Sequence, residues 1–179
     1  MKTLPSTRYA ILGALMPGPR HGYEILQFLI SHLEPTWHIS RSQLYLLLKK
    51  LEAERLLRST VKTQENRPSK RVFLLTSRGK KAFLEWIHRP SEHVRDLRIE
   101  FLARLFFFDW LSLEGGDHLI EAQIRILRQI GDKIRQNQAC ETHRFDNLVL
   151  GFKIATVEAW VTWLINQARP FMKEVKDHD

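Results

Sequence analysis

The stretch SRSQLYLLLKKL, residues 40–51, constrains this chain most tightly, because its spacing suits one regular conformation. Ser40 stands three places ahead of Gln43. At that distance a serine hydroxyl accepts from the backbone N–H of the glutamine, whose side chain reaches back to the serine N–H. Leu44, Leu47, Leu48 and Leu51 follow at i, i+3, i+4 and i+7, one stripe of a helix. Ser42, Tyr45, Leu46 and Lys49 then fall on the opposite side, flanked by Gln43 and Lys50. Such a helix buries its leucines and turns small polar groups and cations outward.

The neighbouring segments place this helix third in an ordered series. Residues 7–15 read as a first helix with Tyr9, Ile11, Leu12 and Leu15 apolar, ended by GPRHG at 18–22. A second helix carries Tyr23, Ile25, Leu26, Leu29, Ile30 and Leu33 as its apolar stripe, and Pro35 stops it. Residues 56–63 and 71–76 are β-prone runs around the polar loop QENRPSK, longer than a two-residue turn, and predict a hairpin. Thr76 caps a following helix over 77–88, with Ala82, Phe83, Trp86 and Ile87 inward, and Pro90-Ser91 marks a boundary. Residues 94–111 predict an unusually apolar helix bearing Leu97, Phe101, Leu102, Leu105, Phe106 and Phe108. Glu114-Gly-Gly-Asp117 is a break, with Asp117 as the next cap. Helices over 118–140 and about 145–168 follow, the last ended by Pro170. These C-terminal helices are too few and too apolar to pack alone, so a second copy of the chain is expected to cover them.

Charge divides the chain at the same place. Residues 1–90 hold 16 Lys and Arg against 6 Asp and Glu, whereas residues 91–179 hold 12 against 14. A basic half joined to a near-neutral half implies that one part meets a polyanion. With 44% apolar and 27% charged residues the chain reads as globular and soluble, and seven prolines and eight glycines argue against an all-β fold. The single Cys140 excludes an internal disulfide framework, suits a reducing cytoplasm, and is expected as a buried or half-buried small hydrophobe. Pro17 and Pro19 interrupt the N-terminal apolar run, which argues against a signal peptide. No uncharged run approaches the roughly 18 residues of a membrane span, so no membrane partner is expected.

Catalytic chemistry finds no footing. His88, His93, His118 and His143 lack a ligand spacing that names a metal, and Glu114 with His118 at i, i+4 matches ordinary helix-surface pairing. No nucleotide-binding glycine loop or nucleophile motif is present, so no enzyme activity, cofactor or metal is expected.

Three helices, a two-stranded hairpin and a further helix are the order of a winged helix-turn-helix. The expected fold is therefore mainly α: a winged helix-turn-helix DNA-binding domain with a two-stranded β wing over residues 1–90, then an α-helical dimerisation domain over residues 91–179. The motifs YAILGAL (9–15), GPRHGYEI (18–25), WHISRSQLY (37–45), LKKLE (48–52), RPSKRVFLLTSRG (67–79) and LEW (84–86) together resemble the PadR-like transcriptional regulators. The C-terminal half is similar in length and helical layout to the long, virulence-activator branch of that family. The resemblance implies a bacterial transcriptional regulator whose C-terminal helices form a homodimer and whose two winged domains bind half-sites of a palindromic operator. Two positions depart from the family pattern. Leu46 stands where proline is usual, and Arg55 where glycine is usual, which alters the approach to the hairpin.

For the DNA-binding reading, Gln43 pairs with adenine, Arg41 with guanine and Ser42 with either kind of group. Tyr45 and Lys49 reach phosphates, and the helix N-terminus at Ser40 adds an anion site. Arg67, Lys70 and Arg71 are the cations of the hairpin tip, for contact with phosphates or the minor groove, with plain solvation as the alternative. Ser40 and Gln43 are equally accounted for as a cap alone, and Tyr45 as packing on the hairpin. His21 and Tyr23 read as core or capping groups. The dimer interface is expected at Phe101, Leu105, Phe108, Ile124, Leu127, Leu148, Phe152, Trp160 and Trp163. In an alternative, ligand-responsive reading, Trp86, Trp110, Trp160, Trp163 and the phenylalanines line a pocket for an aromatic small-molecule effector; the same rings also fit as dimer core.

Overall fold

A computed structural model describes residues 5–33, 39–64 and 67–174, with the backbone alone described for 5, 6, 62–64, 67–70 and 174. Pro35, Trp37 and the residues joining the two hairpin strands lie outside the described residues. Contacts divide the chain into two compact units, Met1–Arg89 with Arg98–Phe107, and Pro90–Leu97 with Phe108–Asp179.

The first unit runs α1 (Pro5–Ala14), β1 (Arg20–His21), α2 (Gly22–Leu33), α3 (Arg41–Ala53), β2 (Leu57–Gln64), β3 (Arg67–Leu75) and α4 (Ser77–Ile87). Ile11, Leu12, Ile25, Leu44, Leu48, Leu51, Phe83, Phe101 and Phe107 are buried within it. Each such side chain contributes about 1.5–3 kcal/mol on leaving water. That burial sets the rotation of α3 and leaves its other face outward. The predicted capping box is formed: Ser40 Oγ accepts from the Gln43 N–H at 3.3 Å, and the Ser40 N–H donates to Gln43 Oε1 at 3.1 Å. Thr76 likewise caps α4, its Oγ1 accepting from the Gly79 N–H at 3.0 Å. Two members of the expected α2 stripe differ: Tyr23 is 63% and Ile30 37% exposed. Only one side of this helix meets α1 and α3, and these two residues lie off it.

The sheet has three antiparallel strands in the order β1-β3-β2, one more than the hairpin predicts. Arg20 pairs with Phe73 and His21 with Val72. Pro17 follows α1 in a turn closed by the Gly18 N–H donating to the Leu15 carbonyl at 3.3 Å, and the chain runs extended only after Pro19, so GPRHG adds a short strand as well as breaking the helix. The hairpin ladder is also longer than expected. It runs from Leu57↔Leu75 to Gln64↔Arg67, which places residues 67–70 in β3 and leaves two residues for the connection. Pro68 is tolerated there because β1 covers β3 only at Val72 and Phe73.

The apolar run over 94–111 is one helical run, α5 (Val94–Asp96), a π turn at Leu97–Phe101, and α6 (Leu102–Trp110). In the second unit α7 (Gly116–Ala139) starts from Gly115, whose φ of 102° is left-handed, so glycine rather than the expected Asp117 precedes the first turn. Leu119, Ile120, Ile124 and Leu127 of α7 are buried, as are Val157, Leu164, Ala168 and Met172 from the C-terminal run. Gln123 is fully buried. Its side chain accepts from the Ser91 N–H at 2.7 Å and donates to the Ser91 carbonyl at 3.0 Å.

Pro170 does not end the last helix. α8 (Arg144–Trp163) continues through a π turn at Leu164–Ala168 into α9 (Arg169–Glu174). The π turn widens the backbone where the proline ring would otherwise meet a carbonyl one turn back. Of the α8 residues only Val157 is buried. The run Arg144–Lys173 is long and apolar enough to cross a bilayer by length and composition. It contains no uncharged run of that length, because Lys153 and Glu158 interrupt the sequence. Cys140, expected at least half-buried, is exposed at the end of α7.

Candidate nucleic-acid interface

The outward side of α3 carries the residues expected there. Arg41, Ser42, Tyr45, Leu46 and Lys49 are exposed, Ser40 is exposed at the cap, and Gln43 is half-buried. Ser40 Oγ lies 3.1 Å from Ser42 Oγ. The capping box occupies Gln43 Oε1 and the Ser40 hydroxyl, so both residues already have a local structural use. Tyr45 is held against the start of α2: a side chain at Gly22 would come within 2.9 Å of the Tyr45 hydroxyl. The Arg41 guanidinium lies 5.9 Å from the Tyr45 ring centre. Leu46, at 60% exposure, projects an apolar side chain where the family pattern has proline.

A hollow beside this face is lined by His21, Tyr23, Arg41, Tyr45, Arg71 and Phe73. The His21 N–H donates to Glu24 Oε2 at 2.6 Å, and His21 Nδ1 lies 3.2 Å from the Arg71 carbonyl oxygen. His21 thus takes a capping position ahead of α2, its backbone N–H met by the side chain three residues on, whereas Tyr23 is neither core nor cap and lines the surface.

Arg71 lies well inside β3, opposite Val61, and not at the hairpin tip. Its Nε donates to Ser59 Oγ at 2.7 Å and its Nη2 to Glu52 Oε2 at 2.5 Å, while the Ser59 hydroxyl donates to Glu52 Oε1 at 2.6 Å. The Ser59 hydroxyl, then the Arg71 charge, hold the Glu52 carboxyl below its usual range, against an opposing contribution from burial. Arg67 and Lys70 occupy β3 positions nearer the tip, and their side chains lie outside the described ones. Sequence reasoning missed Glu52. Its motif was visible, but its partners come from two other elements.

The residues expected at a dimer interface separate into two groups. Phe101, Leu105, Phe108, Ile124 and Leu127 are buried in their own chain, where helix packing has already used their surfaces. Leu148 and Phe152 are 69% and 72% exposed on α8, joined by Phe145 at 63%. The 145, 148, 152 spacing was a readable signal for adding Phe145 to that face. Trp160 and Trp163 are half-buried and meet edge to face at 5.6 Å. Trp86 is buried, with Tyr9 stacked at 5.1 Å and the Arg104 guanidinium 4.9 Å from its ring, so it does not line an open aromatic pocket. Among the described residues no group of three or more His, Cys, Asp or Glu side chains is arranged to hold a metal ion.

The transcriptional regulator PadR-like family matches residues 11–85. The negative transcriptional regulator PadR of Bacillus subtilis (strain 168) is 30% identical over 118 residues, 66% of this chain and 65% of that protein. The probable transcriptional regulator Rv1176c of Mycobacterium tuberculosis is 28% identical over 87 residues, 49% of this chain and 46% of that protein. The chain thus spans less than two thirds of the length of the curated relatives it matches. The crystal structure of Bacillus subtilis PadR in complex with operator DNA is similar at 24% identity and a TM-score of 0.49, covering 93% of this chain and 98% of that one.

Proposed function

We propose that this chain, similar over residues 11–85 to the PadR-like transcriptional regulator family, is a member of it: a cytoplasmic, sequence-specific DNA-binding regulator acting as a homodimer on a palindromic operator. The observation that carries this reading is α3 itself. Leu44, Leu48 and Leu51 are buried, its N-terminus is closed by the capping box, and Arg41, Ser42, Tyr45 and Lys49 stand outward. A helix so presented fits the major groove, where donors and acceptors read base edges while cations meet phosphates. Arg67, Lys70 and Arg71 on β3 serve the flanking backbone, in keeping with the basic balance of residues 1–90.

The homodimer reading rests on α8. Its exposed Phe145, Leu148 and Phe152 form an apolar strip that stays uncovered among the described residues. A second copy suits this face better than lipid. Lys153 and Glu158 lie within the same helix, and each charge placed at the centre of a bilayer costs about 2.5–3.5 kcal/mol. Glu158 also accepts from Arg135 Nη2 at 2.8 Å, an exposed pair that an aqueous surface accommodates without penalty.

Selection of duplexes from a random pool by the purified protein tests the reading. The expected product is a palindromic consensus bound with a steep salt dependence, each neutralised phosphate contributing about −0.9 to the slope of log affinity against log salt. Recovery of no consensus at any salt would refute it.

A further inference from the structure

Glu52, like Glu24 in the hollow nearby, is a carboxylate beside a face that carries Arg41, Lys49 and Arg71, and by charge alone it opposes binding of a polyanion. Its surroundings point to a different role. Glu52 lies in the last turn of α3, Ser59 on β2 and Arg71 on β3, and the three side chains close a ring of hydrogen bonds of 2.5–2.7 Å. The register explains the meeting. Val61 pairs with Arg71 and Ser59 with Phe73, so Ser59 and Arg71 sit diagonally on one face of the hairpin, the face turned to the end of α3. Arg71 commits Nε and Nη2 to the ring while its side chain stays 54% exposed beside the hollow that also holds Arg41 and Tyr45.

We propose that Glu52 is a positioning residue for DNA recognition, holding Arg71, and through it the wing, at a set distance and angle from α3. The inference rests on the DNA-binding reading above. One side chain thereby joins the element that enters the groove to the element that follows the backbone. An Arg71 freed from Glu52 still attracts phosphate, but it no longer does so in register with α3.

The sign of the effect separates this from electrostatics. Simple charge removal makes Glu52→Ala bind every duplex more tightly. The positioning role makes it bind the selected duplex about tenfold more weakly, a coupling in the ordinary range for contacting residues, while a scrambled duplex changes less than about threefold. In an Arg71→Ala background, Glu52→Ala then has little further effect on the ratio of the two affinities. Amide hydrogen exchange on the free protein gives a second readout. Glu52→Ala should speed exchange at residues 59–61 and 71–73 and leave α1 and α4 unchanged. Equal tightening on both duplexes, additive losses in the double variant, or unaltered wing exchange would each overturn the proposal. If the wild type selects no duplex, the DNA-binding reading fails on its own account, and the exchange experiment still decides whether Glu52 holds the wing.

Discussion

Gly79→Ala should destabilise this protein, although replacing glycine by alanine in a helix ordinarily gains about 0.5–1 kcal/mol. Gly79 lies in the first turn of α4, against the residues that lead into β2. A Cβ built there falls 2.1 Å from the Leu56 carbonyl oxygen and 2.9 Å from Leu75 Cδ1. Carbon–oxygen contacts settle at about 3.3–3.6 Å, so roughly 1 Å of movement is required. No rotamer change supplies it, because the obstructing atom is backbone. That carbonyl is held in addition by the Thr76 N–H at 3.1 Å and the Thr76 hydroxyl at 3.0 Å. Overpacking of this kind costs about 1–3 kcal/mol, and loosening two hydrogen bonds adds roughly 1–2 kcal/mol. After the helix gain is subtracted, the net loss is about 1–4 kcal/mol, or a fall in Tm of roughly 2–16 °C for a chain of this size. Thermal unfolding followed by far-UV circular dichroism measures it. An unchanged or raised Tm would mean that the α4–β2 junction has slack the geometry does not show, and the argument would fail.

Three further outcomes follow from the same geometry. Gln43→Glu should keep the capping box and the stability, whereas Gln43→Ala loses about 0.5–1 kcal/mol; both should shift sequence preference while Lys49→Ala weakens all duplexes alike, and equal losses for Gln43→Ala on selected and scrambled duplexes would remove its base-reading role. Arg55 has a φ of 58°, a left-handed backbone costing about 1–2 kcal/mol for a residue with a Cβ; Arg55→Gly should therefore raise stability by up to about 1 kcal/mol after glycine's extra unfolded-state entropy, and a lower denaturant midpoint would contradict this. Phe152→Glu should convert a dimer to a monomer in sedimentation velocity with helical content retained; a dimer that survives this change does not use the exposed face of α8.

Arg55 also shows how family pattern and structure bear on each other. An arginine in place of the usual glycine suggested a different approach to the hairpin. The backbone instead adopts the left-handed conformation with arginine in place, because the Leu56 and Arg55 carbonyls are both held by Thr76 from the start of α4.

What sequence alone settles here is local. The α3 capping box, the rotation set by Leu44, Leu48 and Leu51, the outward Ser42, Tyr45, Leu46 and Lys49, and the Thr76 cap were all legible, because each depends on partners within about one or two turns. The charge asymmetry needed no structure at all. Tertiary structure decided the rest. It determined that β1 joins the sheet, that residues 67–70 lie in β3, that Arg71 is gripped by Glu52 and Ser59, and that Phe101, Leu105 and Phe108 are spent on the chain's own core while Phe145, Leu148 and Phe152 stay uncovered. Those outcomes depend on strand register and, within each unit, on competition among several apolar faces for its interior. Spacing along the chain names the faces but does not say which of them wins.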